Sequence, residues 1–242
     1  MQDNANSFAV QPIATISSCY PQRFGVPRQA GLVKSATASV DFVANRDNEL
    51  AVRDLETFSH LWIIFLFHKQ NYTGFKPLVQ PPRLGGKKTM GVYATRSPNR
   101  QNPIGLSAVQ LDSIEFTDSL IKIHIQGGDF LDGTPVLDIK PYLPFADSIE
   151  AATAEWAGSA EPALTVAWSD VASEQLSQAN TEVGVHGLKH LIEETIAQDP
   201  RPAHERNKDG KVGQTWGVRV AHVDVKWQVQ DAIAEIVTIV VV

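Results

Sequence analysis

The 242-residue sequence contains one cysteine, two methionines and no apolar run long enough to span a membrane. The lone Cys19 excludes an intramolecular disulfide and any zinc site built from several cysteines. The longest apolar run, Leu61 to Phe67, is strand-sized and far short of the ~18 residues of a membrane helix. The opening MQDNANSFAV has neither the basic region nor the apolar region of a secretory signal. These absences predict a soluble, cytoplasmic protein with no membrane partner. Site motifs are missing too. There is no GxGxxG after a strand, no Walker loop, no HExxH and no GxSxG. LGGKKT lacks the spacing of a phosphate loop. Rossmann-type cofactor binding, P-loop chemistry and the commonest hydrolase sites are therefore not signalled, and no metal is expected.

Another absence is local. The net charge is −6, yet Arg83 to Arg100 holds five Lys or Arg and no Asp or Glu. The acidic excess lies elsewhere, notably in 147–200. Segregation of this kind is compatible with a basic face on an acidic protein, or with a solvated loop that binds nothing. The same cations sit in the stretch Pro81 to Ser107, PPRLGGKKTMGVYATRSPNRQNPIGLS, which is rich in Gly, Pro and Arg and poor in apolar residues. Such a stretch builds loops that hold polar groups in place rather than a buried face. It reads as part of a cofactor and nucleic-acid site.

The hydrophobic content of 43% suffices for a core. Residues 8–148 read as a mainly β domain, a closed β-barrel or sandwich of short strands with Gly/Pro turns. Strands are predicted at Phe8–Ser17, Ala36–Val43, Ser59–Gln70, Met90–Thr95, Leu106–Phe116 and Ser119–Gln126, with a short helix from Asn48, its cap, to Leu55. The strand at Ser59 is apolar on both faces and should be central. Residues 19–33 and 127–145 read as loops. The composition turns small and acidic after Asp147, which marks a linker, and residues 149–242 read as a small α+β domain. It has a strand at Leu164–Trp168 and a helix capped by Ser169 or Asp170 through Leu176. A second helix at Val185–Ala197 buries Leu188, Leu191, Ile192, Thr195 and Ile196. Two strands follow around Ala221, and the IVTIVVV tail should be paired in a sheet or dimer contact.

Several residues stand out chemically. Asp129, Asp132 and Asp138 cluster on a Gly-bounded segment. Such carboxylates can accept ribose hydroxyls, or can simply close Asx turns. Arg96 and Arg100 can clamp a carboxylate or phosphate, or pair with those aspartates. Asn102, extended by Pro103, can read a base edge or cap a strand. His68 flanks the central strand, either as a functional group or as a strand-end residue. Lys87, Lys88 and Arg100 are placed to meet RNA.

The run Gly91–Ser107 resembles the signature of the YaeB/TsaA-like family, the TrmO-type tRNA adenine N6-methyltransferases. FGVPRQAGLV, LETFSHLWIIFLFH, PPRLGGKK, DGTPVLDIKPYLPFADS and QDPRPA look like further family blocks, in family order. The resemblance implies a β-barrel that binds S-adenosylmethionine without a Rossmann fold, a small C-terminal domain and a homodimer. It implies methylation of N6 of N6-threonylcarbamoyladenosine next to the tRNA anticodon. The cofactor contacts it implies are Gln29, Ala30 and Gly31, Phe67 and His68, Arg96, Leu106, and the turn Asp129, Phe130, Leu131 and Asp132. It puts Asp199 and Arg201 on a loop that reaches the modified base, with Arg201 or Arg100 pairing with the threonyl carboxylate. The family usually has proline where Ala30 and Gln101 stand. A base must take the N6 proton, and His68 and Asp132 are the candidates. A non-catalytic S-adenosylmethionine- or RNA-binding module, or a methyltransferase acting on another RNA or a small molecule, remains an alternative.

Overall fold

The computed structural model describes residues 8–69, 75–159, 161, 163–183, 187–206, 209, 211 and 213–242, with backbone alone at 180–183. The expectations for Gln70, Val185 and the first seven residues lie outside these.

The N-terminal part is built from β1 (Ala14–Ser18), β2 (Thr37–Val43), helix α1 (Arg46–Ala51), β3 (His60–Leu66), β4 (Leu78–Val79), β5 (Met90–Gly91), β6 (Ile104–Phe116), β7 (Leu120–Gln126), β8 (Pro135–Pro141) and helix α2 (Pro144–Asp147). Six strands hydrogen-bond in a ring, β1–β2–β7–β6–β3–β8 and back to β1, a closed barrel. β6 makes the ring possible. Its first half pairs with β3 and its second half with β7, and a bulge at Leu111–Ser113 turns the corner. Alternate side chains point inward: Ile16, Val40, Leu61, Ile63, Val109, Ile121, Ile123 and Val136 fill the interior.

Several sequence expectations are corrected. β1 starts at Ala14, because its ladder to β8 begins there; Phe8 is exposed. The cap of α1 is Asn45, whose side chain accepts from the Asn48 N–H at 2.9 Å. β3 buries only one face fully. Trp62, Ile64 and Leu66 on the outer face are half-buried, since a barrel interior receives one face of each strand. Met90–Thr95 is a strand only at Met90–Gly91 and then a 3-10 turn over Val92–Ala94. The Arg100 guanidinium donates to the carbonyls of Val92 and Thr95, bracing that turn. β8 was hidden in a stretch read as loop. Its prolines stand at its first and last residues, where a missing N–H does least harm to a ladder.

The C-terminal part holds β9 (Thr165–Trp168), α3 (Asp170–Val183), α4 (Leu188–Ala197), β10 (Trp216–Val220), β11 (Val223–Gln230) and β12 (Ile233–Val241). The sheet runs β10–β11–β12–β9, with β9 parallel to β12 and the other pairs antiparallel. α3 continues past the expected Leu176, and its cap is the Ser169 hydroxyl, which accepts from the Ala172 N–H. α4 buries the five residues its periodicity marks. β11 pairs with β12 as far as Val241, whereas β9 covers only Ile233–Ile236, so the β-prone tail is paired on one side beyond Ile236; Ala234, Ile236 and Ile239 are buried and Val240 to Val242 are exposed.

The loop between β1 and β2 belongs to both parts. Tyr20, Val33 and Ala36 are buried in the C-terminal core, and Phe24 stacks on Trp227 of β11. The Tyr20 hydroxyl pairs with Thr195, and the Glu194 carboxylate accepts from the Ser35 N–H and hydroxyl. Gly25, at φ +98°, has no room for a side chain, because a Cβ there would meet Val218 at 2.4 Å.

Candidate cofactor pocket and its surroundings

A pocket opens where β3 leaves the barrel. It is lined by Arg23 and Val26 from the first loop, Phe65, Phe67, His68 and Lys69 from the end of β3, and Asp129, Leu131 and Thr134 from the turn before β8. Phe65 and Phe67 are two apart and face the same way. Their rings meet edge-on at 5.1 Å, and Phe65 meets Phe130 edge-on at 5.0 Å. Gly105, opposite Phe65 in the ladder, leaves the space this ring fills; a Cβ there would lie 2.2 Å from it. The apolar wall is thus fixed by a glycine that sequence reading passed over.

The polar groups are held as firmly. Asp129 accepts from the Ser107 hydroxyl at 2.6 Å. Burial pushes its carboxyl above the ordinary range, opposed by the Ser107 hydroxyl, by neighbouring backbone N–H groups and by Arg96. Gly31 N–H donates to Gly127 O at 2.8 Å, which ties the first loop to the Asp129 turn. Arg96 donates to the Gln29 side chain, and Gln29 donates to Arg28 O.

His68 is the unusual group. Among the described residues its Nε2 is buried without a hydrogen-bond partner. Its Nδ1 lies 3.5 Å from the Thr134 hydroxyl, whose own proton goes to Leu131 O at 2.6 Å. The hydroxyl is left to accept, so Nδ1 carries the hydrogen and Nε2 keeps its lone pair. Burial lowers the His68 pKa, Lys69 lowers it further, and Asp132 opposes them. At neutral pH the ring is therefore a neutral base. Asp132 is more exposed. One of its oxygens accepts from the Ser18 N–H at 3.0 Å, which ties this turn to the end of β1.

Phe67, His68, Asp129 and Leu131 line one pocket; beside it Arg96 bonds to Gln29, and Gly31, next to Ala30, bonds to Gly127. Phe130 supports it from within. Leu106 does not join them. It is 54% exposed, on the face of β6 opposite to the inward Ser107. Arg23, Val26, Phe65, Lys69 and Thr134 complete the lining and were not assigned from sequence. Only the i, i+2 spacing of Phe65 and Phe67 could have suggested one of them.

The expected RNA-facing residues divide. Lys87 and Lys88 are exposed. Arg100 spends hydrogen bonds on its own turn, and Asn102 is exposed beside Pro103. Asp199 and Arg201 are corrected: they do not reach outward. Arg201 is 1% exposed, its guanidinium grips both Asp199 oxygens at 2.7 and 2.8 Å, and it lies over the Trp216 ring. From that buried knot, Asp199 O accepts from Arg28 at 3.2 Å, and Glu161 takes both Arg28 and Arg206. The QDPRPA segment braces the residue next to Gln29.

Comparison with known proteins identifies the family. Residues 15–148 match the tRNA-methyltransferase O N-terminal domain, and residues 161–242 match the TrmO C-terminal domain. The chain is 44% identical over 227 residues to the tRNA (adenine(37)-N6)-methyltransferase of Escherichia coli, covering 94% of this chain and 95% of that one. It is 39% identical over 219 residues to a Pseudomonas aeruginosa protein named for S-adenosylmethionine-dependent methyl transfer, covering 90% and 91%. The crystal structure of TrmO from Pseudomonas aeruginosa superposes with a TM-score of 0.79 at 32% identity, covering 97% of this chain and 98% of that one. With both halves matched in order and a relative similar from end to end, the chain belongs to the tRNA-methyltransferase O family.

Proposed function

We propose that the protein transfers a methyl group from S-adenosylmethionine to N6 of the adenosine at position 37 of tRNA, and that the substrate base carries an N6-threonylcarbamoyl group. The observation that carries this reading is the pocket itself: an unpartnered His68 Nε2 beside an aromatic wall and the Asp129 carboxyl. Its residues fit a nucleoside cofactor. Phe65, Phe67 and Leu131 offer apolar faces, and Asp129 offers an acceptor for hydroxyl groups. Bound there, S-adenosylmethionine supplies a methyl group already electrophilic on a positive sulfur, so the chain needs placement more than acid catalysis.

The ureido N6 is a poor nucleophile until its proton leaves. His68 Nε2, held in the lone-pair tautomer by Thr134, is the favoured acceptor of that proton. Asp132, with one oxygen engaged, is second. Excluding Asp199 and Arg201 leaves Arg100 as the candidate partner of the threonyl carboxylate.

The reading treats residues 8–148 as the cofactor-binding part and 149–242 as its brace. It also makes the chain a cytoplasmic homodimer. What supports the dimer is Leu106, an apolar side chain 54% exposed on the outside of β6, where a second copy would cover it. Among the described residues no helix is long and apolar enough to cross a membrane.

Incubation with S-adenosylmethionine bearing a deuterated methyl group and with tRNA, followed by nucleoside mass spectrometry, tests the reading. The label is expected on the threonylcarbamoyl nucleoside alone. Label on unmodified adenosine overturns the substrate, and no label overturns the activity.

A further inference from the structure

The segment from Thr57 to Leu111 holds seven Lys or Arg and no Asp or Glu. The other 187 residues carry 14 Lys or Arg and all 27 Asp and Glu. The structure gathers most of these cations in a lobe, residues 75–103, inserted between β3 and β6. The lobe rises beside the pocket. At its base Phe67 N–H donates to Pro103 O at 2.9 Å, and Arg96 reaches the Gln29 rim.

On this lobe lies an exposed aromatic pair. Phe75 and Tyr93 stack with centroids 6.3 Å apart and planes 29° from parallel. Tyr93 is 66% exposed, too much for a ring whose role is core packing. It is nonetheless held in place. The Arg100 guanidinium sits 5.4 Å from its centroid, and its hydroxyl donates to the Gln101 side chain at 3.2 Å. The turn below is fixed by the Arg100 bonds to Val92 and Thr95. A rigid, solvent-facing aromatic ring among cations has the chemistry of a platform for an unstacked base.

We infer that Tyr93, with Phe75 beside it, stacks a single-stranded RNA nucleotide flanking the base presented to the pocket, while Lys76, Lys87 and Lys88 meet its phosphates. The occupant is RNA because the lobe offers cations without a single carboxylate on a chain that is otherwise acidic. The inference rests on the proposed tRNA substrate and adds how the anticodon loop is held open. It gives Gln101 a role as well: the amide in this chain is the acceptor that orients Tyr93.

The test uses the full-length protein and a tRNA anticodon stem-loop carrying a fluorophore. Tyr93→Ala is expected to weaken stem-loop binding about tenfold, within the range of one base–aromatic stack. S-adenosylmethionine affinity and melting temperature should stay unchanged, since the ring is exposed. Tyr93→Phe should restore most of the binding. Lys87→Gln with Lys88→Gln should lower affinity and flatten its salt dependence. The inference is overturned if Tyr93→Ala leaves RNA affinity unchanged or if Tyr93→Phe is as damaging as Tyr93→Ala. Conversion of a dimer to monomers by Tyr93→Ala, seen by light scattering, also overturns it, since the patch would then be a contact between copies. Wild-type protein that binds S-adenosylmethionine but no stem-loop overturns the tRNA reading beneath it.

Discussion

His68 and Asp129 sit in one pocket with their ordinary pKa values displaced in opposite directions. Burial lowers the first and raises the second, because it penalises whichever form is charged. The consequence for rate can be signed. His68 accepts a proton only when neutral, so activity rises as pH climbs through its lowered pKa, on a limb below 6.5. Above that limb the base is fully available. Burial raises the Asp129 carboxyl in the same pocket, so the two must be separated by substitution. His68→Gln is expected to reduce kcat by roughly a hundredfold or more, the usual scale of a general base. It should also abolish the acid limb of the kcat profile. An unchanged limb in that variant assigns it to Asp129 and returns the base to Asp132. Cys19 adds a contrast. Burial pushes its thiol up to about 12, which makes it inert rather than catalytic.

The first loop is the element on which the pocket depends. Arg23 and Val26 line the pocket from it, and Gly31 ties it to the Asp129 turn, while Tyr20, Val33 and Ala36 anchor it in the C-terminal core. Arg28 stands between, held by Glu161 and the Asp199 carbonyl. Its side chain is one-third exposed, so its ion pair contributes little stability by itself. Its effect should be on position. Arg28→Gln is expected to raise KM for S-adenosylmethionine several-fold, with kcat and KM for tRNA little altered. A change confined to tRNA would instead show that this segment reads RNA.

At the scale of the whole molecule, the first loop carries side chains of the N-terminal part into the C-terminal core. That segment is N-terminal in sequence and C-terminal in packing. Residues 8–148 produced alone would expose Tyr20, Val33 and Ala36, now at most 2% exposed. Each medium-sized apolar side chain contributes about 1.5–3 kcal/mol when fully buried. Such a fragment is expected to bind S-adenosylmethionine at least tenfold more weakly than the full chain, measured by calorimetry. Binding at full strength would show that the loop holds its shape unaided.

The strands whose inward residues alternate, β2, β6 and β7, were legible from their pattern, and so were α4 and its buried stripe. Local periodicity fixes such elements because one face must be buried. The first loop, the Arg96 segment and the Asp129 turn were marked by Gly, Pro and charge, with the family resemblance naming their contacts. β8 was not legible, because its prolines mask a ladder whose donors lie between them. Neither was the fate of Asp199 and Arg201. A sequence shows two charged residues near prolines; only packing against Trp216 and Arg28 turns them inward. The lone pair on His68 depends on a threonine 66 residues away, and the room for Phe65 depends on a glycine on the neighbouring strand. The sequence by itself determined the class of fold, the segments that carry polar chemistry and the segregation of charge, because these follow from composition and local pattern. Which of those groups face a ligand and which face each other was decided by the tertiary structure, since hydrogen-bond partners and burial are set by residues far apart in the chain.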